Sequence, residues 1–219
     1  MRINISTVID VLDIKNDKTP LLEQLNSIVK KYLYKTDIEG RLDTRIYQHS
    51  LRTMKYADKI LKKEKADREI VLSALLLHDI GKTITDQRHD IVSYKLAKEI
   101  LTKLEVDENK KSKILECILL HSSKPLNCLD LTIEQQIVMD ADILDEIGVL
   151  TITKYCISKM NRNIDINFIL KGLEDKYEEI EKEQMYLKTK YGLDLYIKKK
   201  KNLRSLIDNF KLEIEMFDF

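Results

Sequence analysis

The chain contains four histidines, His49, His78, His89 and His121, and His78 is followed directly by an aspartate in the stretch ALLLHDIGK at residues 74–82. An apolar run that ends in His78 and Asp79 poses a physical problem. Burying even a neutral polar group without a partner costs roughly 2–7 kcal/mol, and an unpaired carboxylate costs more. A divalent cation removes the difficulty, because it neutralises Asp79 and occupies histidine lone pairs. A second acidic run, DADILDE at 140–146, supplies further carboxylates. Imidazole and carboxylate donors together suit Mn, Fe, Mg, Co, Ni or Zn rather than a thiolate-seeking ion. A single histidine is ordinarily a core or surface residue. Here all four fall on or beside predicted helices, and facing helices that project side chains to a shared centre are how bundles build metal sites.

Composition and periodicity define those helices. Five glycines and two prolines in 219 residues, beside abundant Leu, Ile, Lys and Glu, predict an all-α protein. Thr19-Pro20 opens a helix over about 20–34, with Leu21, Leu25, Ile28, Val29 and Tyr32 at helical spacing. A second helix, with Ile46, Leu51, Met54, Ala57 and Ile60, carries His49. The third begins near Asp67 and is apolar on nearly every side through Leu77, so it belongs at the centre; Gly81 is placed to stop it as a C-cap. His89 stands near the start of the fourth. Asp107 caps a fifth, on which Ile114, Ile118 and His121 share a face. A long sixth helix is expected over 133–158, with Ile133, Ile137, Asp140, Ala141, Leu144 and Ile147 on one stripe. Asp142 lies about 200° round the helix from Asp140, which argues against both binding one ion directly. Periodicity alone favours Asp140. After residue 160 two highly charged helices are expected, hinged near Tyr191-Gly192.

Charge and composition exclude several functions. With 38 basic and 37 acidic side chains the net charge is +1, so no global field favours nucleic acid or an anionic membrane, and neither is an expected partner. A small phosphorylated substrate remains compatible. The KKKK run at 198–201 reads as a solvated helix face in preference to a phosphate patch. Cys117, Cys128 and Cys156 form no CxxC pair and read as reduced packing residues, Cys117 included although it stands four residues before His121. The N-terminal residues lack a signal-peptide core, and nowhere do about 18 apolar residues run together, so a cytoplasmic location is expected. No glycine-rich phosphate cradle, Ser/His/Asp triad or cysteine nucleophile is present. No sequence signal sets an oligomeric state.

Taken in order, His49, then His78-Asp79, then an aspartate of MDADILDEIG resemble the H…HD…D signature of the HD-domain superfamily of metal-dependent phosphohydrolases. LLLHDIGK and DADILDEIG look most like the bacterial YedJ-like small HD hydrolases. The stretch YLKTKYGLDLYIKKKKNLRSLIDNFKLEIEMF is similar to the C-terminal helical extension of that branch, so the resemblance spans roughly residues 43–215. It implies an HD-domain helical bundle with a C-terminal helical extension. The expected parts are an N-terminal helical segment over 1–39 packed on the core, an HD metal-binding core over 40–160 and the extension over 161–219, all in one compact unit.

The resemblance also implies roles. His49, His78, Asp79 and Asp142 bind a metal, Asp142 being preferred because it follows Ala141 as the superfamily's last ligand follows an alanine. Asp140 or Asp145 then orients a histidine from behind. In dinuclear members additional histidines hold a second ion and the HD aspartate bridges; His89 and His121 stand where such ligands would, or else contact substrate phosphate, so one or two divalent ions per chain are implied. The activity implied is hydrolysis of a phosphoester or phosphoanhydride bond, in a nucleotide or other small phosphorylated substrate, by metal-activated water. Catalytic roles fall to Asp79 as proton acceptor and to Lys82 and Arg52 as partners of phosphate oxygens. Lys82 would equally complement the end of its helix. A non-catalytic metal-containing nucleotide-binding or sensor protein is the competing class, and turnover separates the two. A nuclease role lacks the basic, aromatic-interleaved patch it would need.

Overall fold

The computed structural model describes residues 14, 19–35, 44–122, 130–150, 152–153 and 166–216. Its described secondary structure is entirely helical: α1 (Leu21–Lys35), α2 (Thr44–Leu61), α3 (Arg68–Leu77), α4 (His89–Lys103), α5 (Glu108–Leu120), α6 (Ile133–Glu146), α7 (Ile166–Glu183) and α8 (Lys190–Glu215). The all-α expectation holds. Cys128 and Cys156 lie outside the described residues, as do 123–129 of the loop before α6. No helix among the described residues is long and apolar enough to cross a membrane.

The post on which the molecule is built is α3. Asp67 accepts hydrogen bonds from the amides of Glu69 and Ile70, an N-cap that satisfies two donors the first turn would leave open. From Ile70 to Leu77 every residue is buried, and α1, α2, α4, α5 and α6 all pack on this one short helix. Asp107 caps α5 in the same way, through the amide of Lys110. Capping and periodicity are local, which is why both starts were readable from sequence.

Three expectations are corrected by tertiary packing. Gly81 is not a left-handed C-cap: α3 ends at Leu77, and Gly81 lies inside a 3-10 turn, Ile80–Thr83. A Cβ there would lie 2.6 Å from the carbonyl oxygen of His89 and the amide of Ser93, so glycine is required for α4 to approach the turn. The sixth helix stops at Glu146 instead of reaching 158, because Ile147 is extended and Gly148 has φ +119°, a conformation that L side chains rarely adopt. Gly192 is no hinge; the chain turns at Gln184–Tyr186 and restarts at Thr189, the N-cap of α8.

Gly192 serves a contact to the core. Asp140, fully buried on α6, accepts the amides of Lys188 and Thr189 at 2.7 and 2.8 Å and the Thr189 hydroxyl at 2.7 Å. A Cβ on Gly192 would stand 2.3 Å from that carboxylate. The apolar stripe of α6 that carries Asp140 therefore receives the start of α8. Burial pushes the Asp140 carboxyl up to about 6, against the lowering effect of its Thr189 and Lys188 partners.

Candidate metal centre

The four histidines are held in one common way. His78 and His121 occupy the first position past the C-terminal ends of α3 and α5, and each directs Nδ1 at the carbonyl three residues back, Leu75 at 2.9 Å and Ile118 at 2.6 Å. His89, the first residue of α4, directs Nδ1 at the Asp86 carbonyl at 3.1 Å. His49, on α2, directs Nδ1 at Asp145 Oδ2 at 2.8 Å. Carbonyl and carboxylate oxygens only accept, so every Nδ1 is the protonated donor and every neutral ring presents its Nε2 lone pair. All four lone pairs converge on Asp79 and Asp142.

The distances sort these atoms into two sets. In the first, His49 Nε2 lies 3.1 Å from His78 Nε2, 3.1 Å from Asp142 Oδ1 and 3.5 Å from Asp79 Oδ2, while His78 Nε2 lies 3.6 Å from Asp79 Oδ2 and 3.7 Å from Asp142 Oδ1. In the second, His89 Nε2 and His121 Nε2 lie 3.1 Å apart, and 3.3 and 3.6 Å from Asp79 Oδ1. Asp79 belongs to both, with one oxygen in each. Facing lone pairs at that separation repel unless a proton or a metal cation stands between them. Two nitrogens bound at right angles to one ion at about 2.1 Å would be about 3.0 Å apart. The buried Asp79 Oδ1 has no hydrogen-bond partner, an exception that an ion would account for. This donor set fits divalent metal.

Electrostatics follow the same grouping. Burial opposes ionisation of Asp79, but His78, His121, His89 and Lys82 hold its carboxyl far below the usual range. Asp142 is likewise buried yet held well down by His49 and His78. His49 is lowered by burial and raised more by Asp142 and Asp145, to about 9.

Asp140 is turned away, to α8, whereas Asp142 joins the histidines. Asp145 is the residue behind His49, and Arg52 grips it through Nε at 2.7 Å and Nη2 at 2.8 Å. Burial raises the Asp145 carboxyl, and His49 and Arg52 bring it down to about 2. Arg52, read from sequence as a partner for phosphate, thus commits two of its donors to Asp145 and positions His49 through it. Lys82 Nζ lies 2.6 Å from Asp79 Oδ2. An Asp145→Ala variant is expected to bind metal about 10–100-fold more weakly while staying folded, as loss of an orienting partner does elsewhere. Competition against a chelating dye measures this, and undiminished affinity would remove Asp145 from the role.

A cleft of about 410 Å³ reaches the centre, lined by Arg45, Ile46, His49, Asp79, Lys82, Asp86, Asp145 and Glu146. Arg45 and Asp86 were not singled out by sequence, and Glu146 entered only as the last residue of the acidic run. Arg45 stands one helical turn before His49 on α2, a relation that was available as a signal, whereas Asp86 lies in the bend before α4 and its carbonyl faces His89.

An all-α bundle with a shared His/Asp centre defines the class. Residues 46–147 match the family model of the HD domain, so this part of the chain is an HD domain, the domain of the HD superfamily. That superfamily is one of metal-dependent phosphohydrolases in general. Among solved structures, the chain is similar to an HD-superfamily hydrolase from Bacillus thuringiensis (22% identity, TM-score 0.67, covering 89% of this chain and 96% of that one). It is also similar to an HD superfamily hydrolase from an uncultured Thermotogales bacterium (18%, TM-score 0.64, 96% and 99%) and to Bacillus subtilis YpgQ, solved in complex with ADP (20%, TM-score 0.61, 88% and 97%). At these identities the likeness is one of fold. No curated protein matches the chain.

Proposed function

We propose that this protein is a phosphohydrolase whose two histidine pairs, with Asp79 between them, would each hold a divalent ion, and that it acts on a nucleotide or another small phosphorylated substrate. The observation that carries the reading is Asp79 itself, each of whose oxygens faces one pair of histidine Nε2 atoms. His49, His78, Asp79 and Asp142 would hold the first ion, and Asp79, His89 and His121 the second. Divalent ions there supply charge neutralisation at the phosphoryl oxygens and a nucleophilic water at neutral pH. Asp79, kept ionised by its surroundings, would hold the ions through its two oxygens and is too weak a base there to take up the proton of an attacking water. Lys82, on the cleft wall, releases Asp79 and pairs with a phosphate oxygen of the entering substrate. Arg52 and Asp145 keep His49 in its tautomer and orientation. The ADP in YpgQ, a protein of the same fold, supports a nucleotide as the substrate class. Helices α7 and α8 support a place near the YedJ-like small HD hydrolases.

The test is release of phosphate or pyrophosphate from a panel of nucleotides and sugar phosphates by protein loaded with Mn, Co or Mg. Turnover of at least one nucleotide is expected. Tight nucleotide binding with no turnover of any panel member would replace the enzyme with a sensor.

Proton competition gives a second check. In the metal-free protein His49 is raised from 6.5 to about 9, so folding favours its protonated form: that stabilisation is fully present below pH 6.5 and is lost as pH rises through about 9. A ligating histidine must be neutral, so metal displaces this proton. Affinity for the first ion is expected to rise about tenfold per pH unit up to about 9 and then level. Calorimetry in buffers of different ionisation enthalpy should count the released proton at pH 7.5. No proton release would contradict the assignment of His49.

A further inference from the structure

Positive charge gathers at one place that the metal centre does not use. Tyr56 stands seven residues beyond His49 on α2, about 10 Å along the helix axis. Two ammonium groups converge on its ring. Lys199 of α8 places Nζ 4.1 Å from the ring centroid and donates to the Tyr56 hydroxyl, and Lys59 places Nζ 5.5 Å from the same centroid. Arg52, one turn earlier on α2, adds a third cation. The carboxylate that acts on Lys199 is Asp145, and it is already shared by Arg52 and His49. Among the described residues neither Lys59 nor Lys199 has a carboxylate within ion-pair distance.

The KKKK run is therefore not one uniform solvated face. Lys200 turns to Gln184 and Glu181, Lys198 and Lys201 are exposed, and Lys199 turns inward against Tyr56. Gly148, three residues past Asp145, lies beneath the Lys199 stem, where a Cβ would stand 3.4 Å from Lys199 Cε. Burial pulls the Lys199 ammonium down to about 8; Asp145 opposes this, and Lys59 and Arg52 reinforce it. An aromatic face attracts one ammonium, but a second like charge beside it is unfavourable without an anion.

We propose that Tyr56, Lys59 and Lys199 form an anion subsite, separated from His49 by the Asp145–Arg52 pair, that takes a phosphate group. A phosphate brings about two negative charges and three acceptor oxygens to two ammonium groups and a phenol. The phosphate is either the remote one of a substrate held at the metal centre, a source that rests on the function proposed above, or free orthophosphate, which does not depend on it.

Isothermal titration of the metal-loaded protein with two probes, orthophosphate and a nonhydrolysable bis-methylene triphosphate, at one fixed ionic strength, tests this. Lys199→Met is expected to weaken a probe about tenfold, the loss of one charge-assisted hydrogen bond, and Lys199→Arg to retain binding. If the subsite reads the remote phosphate of a substrate, only the triphosphate weakens. If it takes free phosphate, the wild type binds one orthophosphate per chain more than Lys199→Met does. Equal affinity and stoichiometry for both probes in wild type and Lys199→Met overturns the proposal, as does failure of the wild type to bind either. Should Lys199→Met not fold, Lys59→Met, at an exposed position, carries the same comparison. None of these readouts uses turnover, so an inactive protein with Lys199-dependent anion binding would sink the hydrolase reading and keep the subsite.

Discussion

Asp79→Ala is expected to abolish phosphate release, by about 10³-fold or more, and to lower bound metal from two equivalents per chain to below one, with the fold intact. The magnitude follows from a metal's several kcal/mol of transition-state stabilisation, at about 1.4 kcal/mol per factor of ten in rate. Among the described residues Asp79 alone lies within 4.0 Å of Nε2 atoms of both histidine pairs; Asp142 lies that close to His49 and His78 and stands farther off, within 4.8 Å, from His121. The fold survives because Asp79 lies beyond the end of α3 and contributes no side-chain hydrogen bond to capping it; its carboxylate accepts a hydrogen bond from Lys82, which can turn to solvent. His121→Ala gives the complementary result, loss of the second ion with the first retained. Elemental analysis beside a melting curve reads both variants. Full metal content in a folded Asp79→Ala protein would dismantle the bridged centre.

The second large effect is on stability and lies at Asp140, two residues before Asp142. Asp140→Ala should cost about 3 kcal/mol, because the Lys188 and Thr189 amides and the Thr189 hydroxyl lose their acceptor at a buried junction. At this chain length that corresponds to a fall in Tm of about 6–12 °C. The burial that raises the Asp140 carboxyl to about 6 weighs against its charge, but truncation strands the donors in either protonation state, so the hydrogen-bond geometry decides the sign. Metal content per folded chain should not change. Asp142→Ala should do the reverse, losing metal at the first set while melting within a few degrees of wild type. Gly192→Ala tests the same junction from the other side, since its Cβ would press on Asp140 Oδ2. If Asp140→Ala lost metal and Asp142→Ala lost stability, the two aspartates would have been assigned the wrong way round.

That pair shows where reading from sequence stops. Both aspartates sit in DADILDE, both are buried on α6, and helical periodicity ranks Asp140 first because its stripe is the more apolar. Yet an apolar stripe says only that something packs there. It is α8, entering through Thr189, that claims Asp140, and no local pattern encodes that contact. The alanine before Asp142 pointed the other way, but only through resemblance to a family.

What the sequence determined by itself are the properties that propagate along a few turns of chain. Helical class came from scarce glycine and proline, the starts of α3 and α5 from Asp67 and Asp107, and the centrality of α3 from a run apolar on all sides. The identity of the ligand-type residues was equally plain, because a histidine and an aspartate closing such a run need a charged partner wherever the helix is placed. Only the tertiary structure decided what depends on distance across the bundle. It paired the four imidazoles, gave one Asp79 oxygen to each pair, committed Arg52 to Asp145, and made Gly81 and Gly192 points of close approach where sequence read a stop and a hinge. The reason is physical: hydrogen bonds and coordination act over about 3 Å, and residues 30 or 90 positions apart reach that range only when every intervening helix has packed.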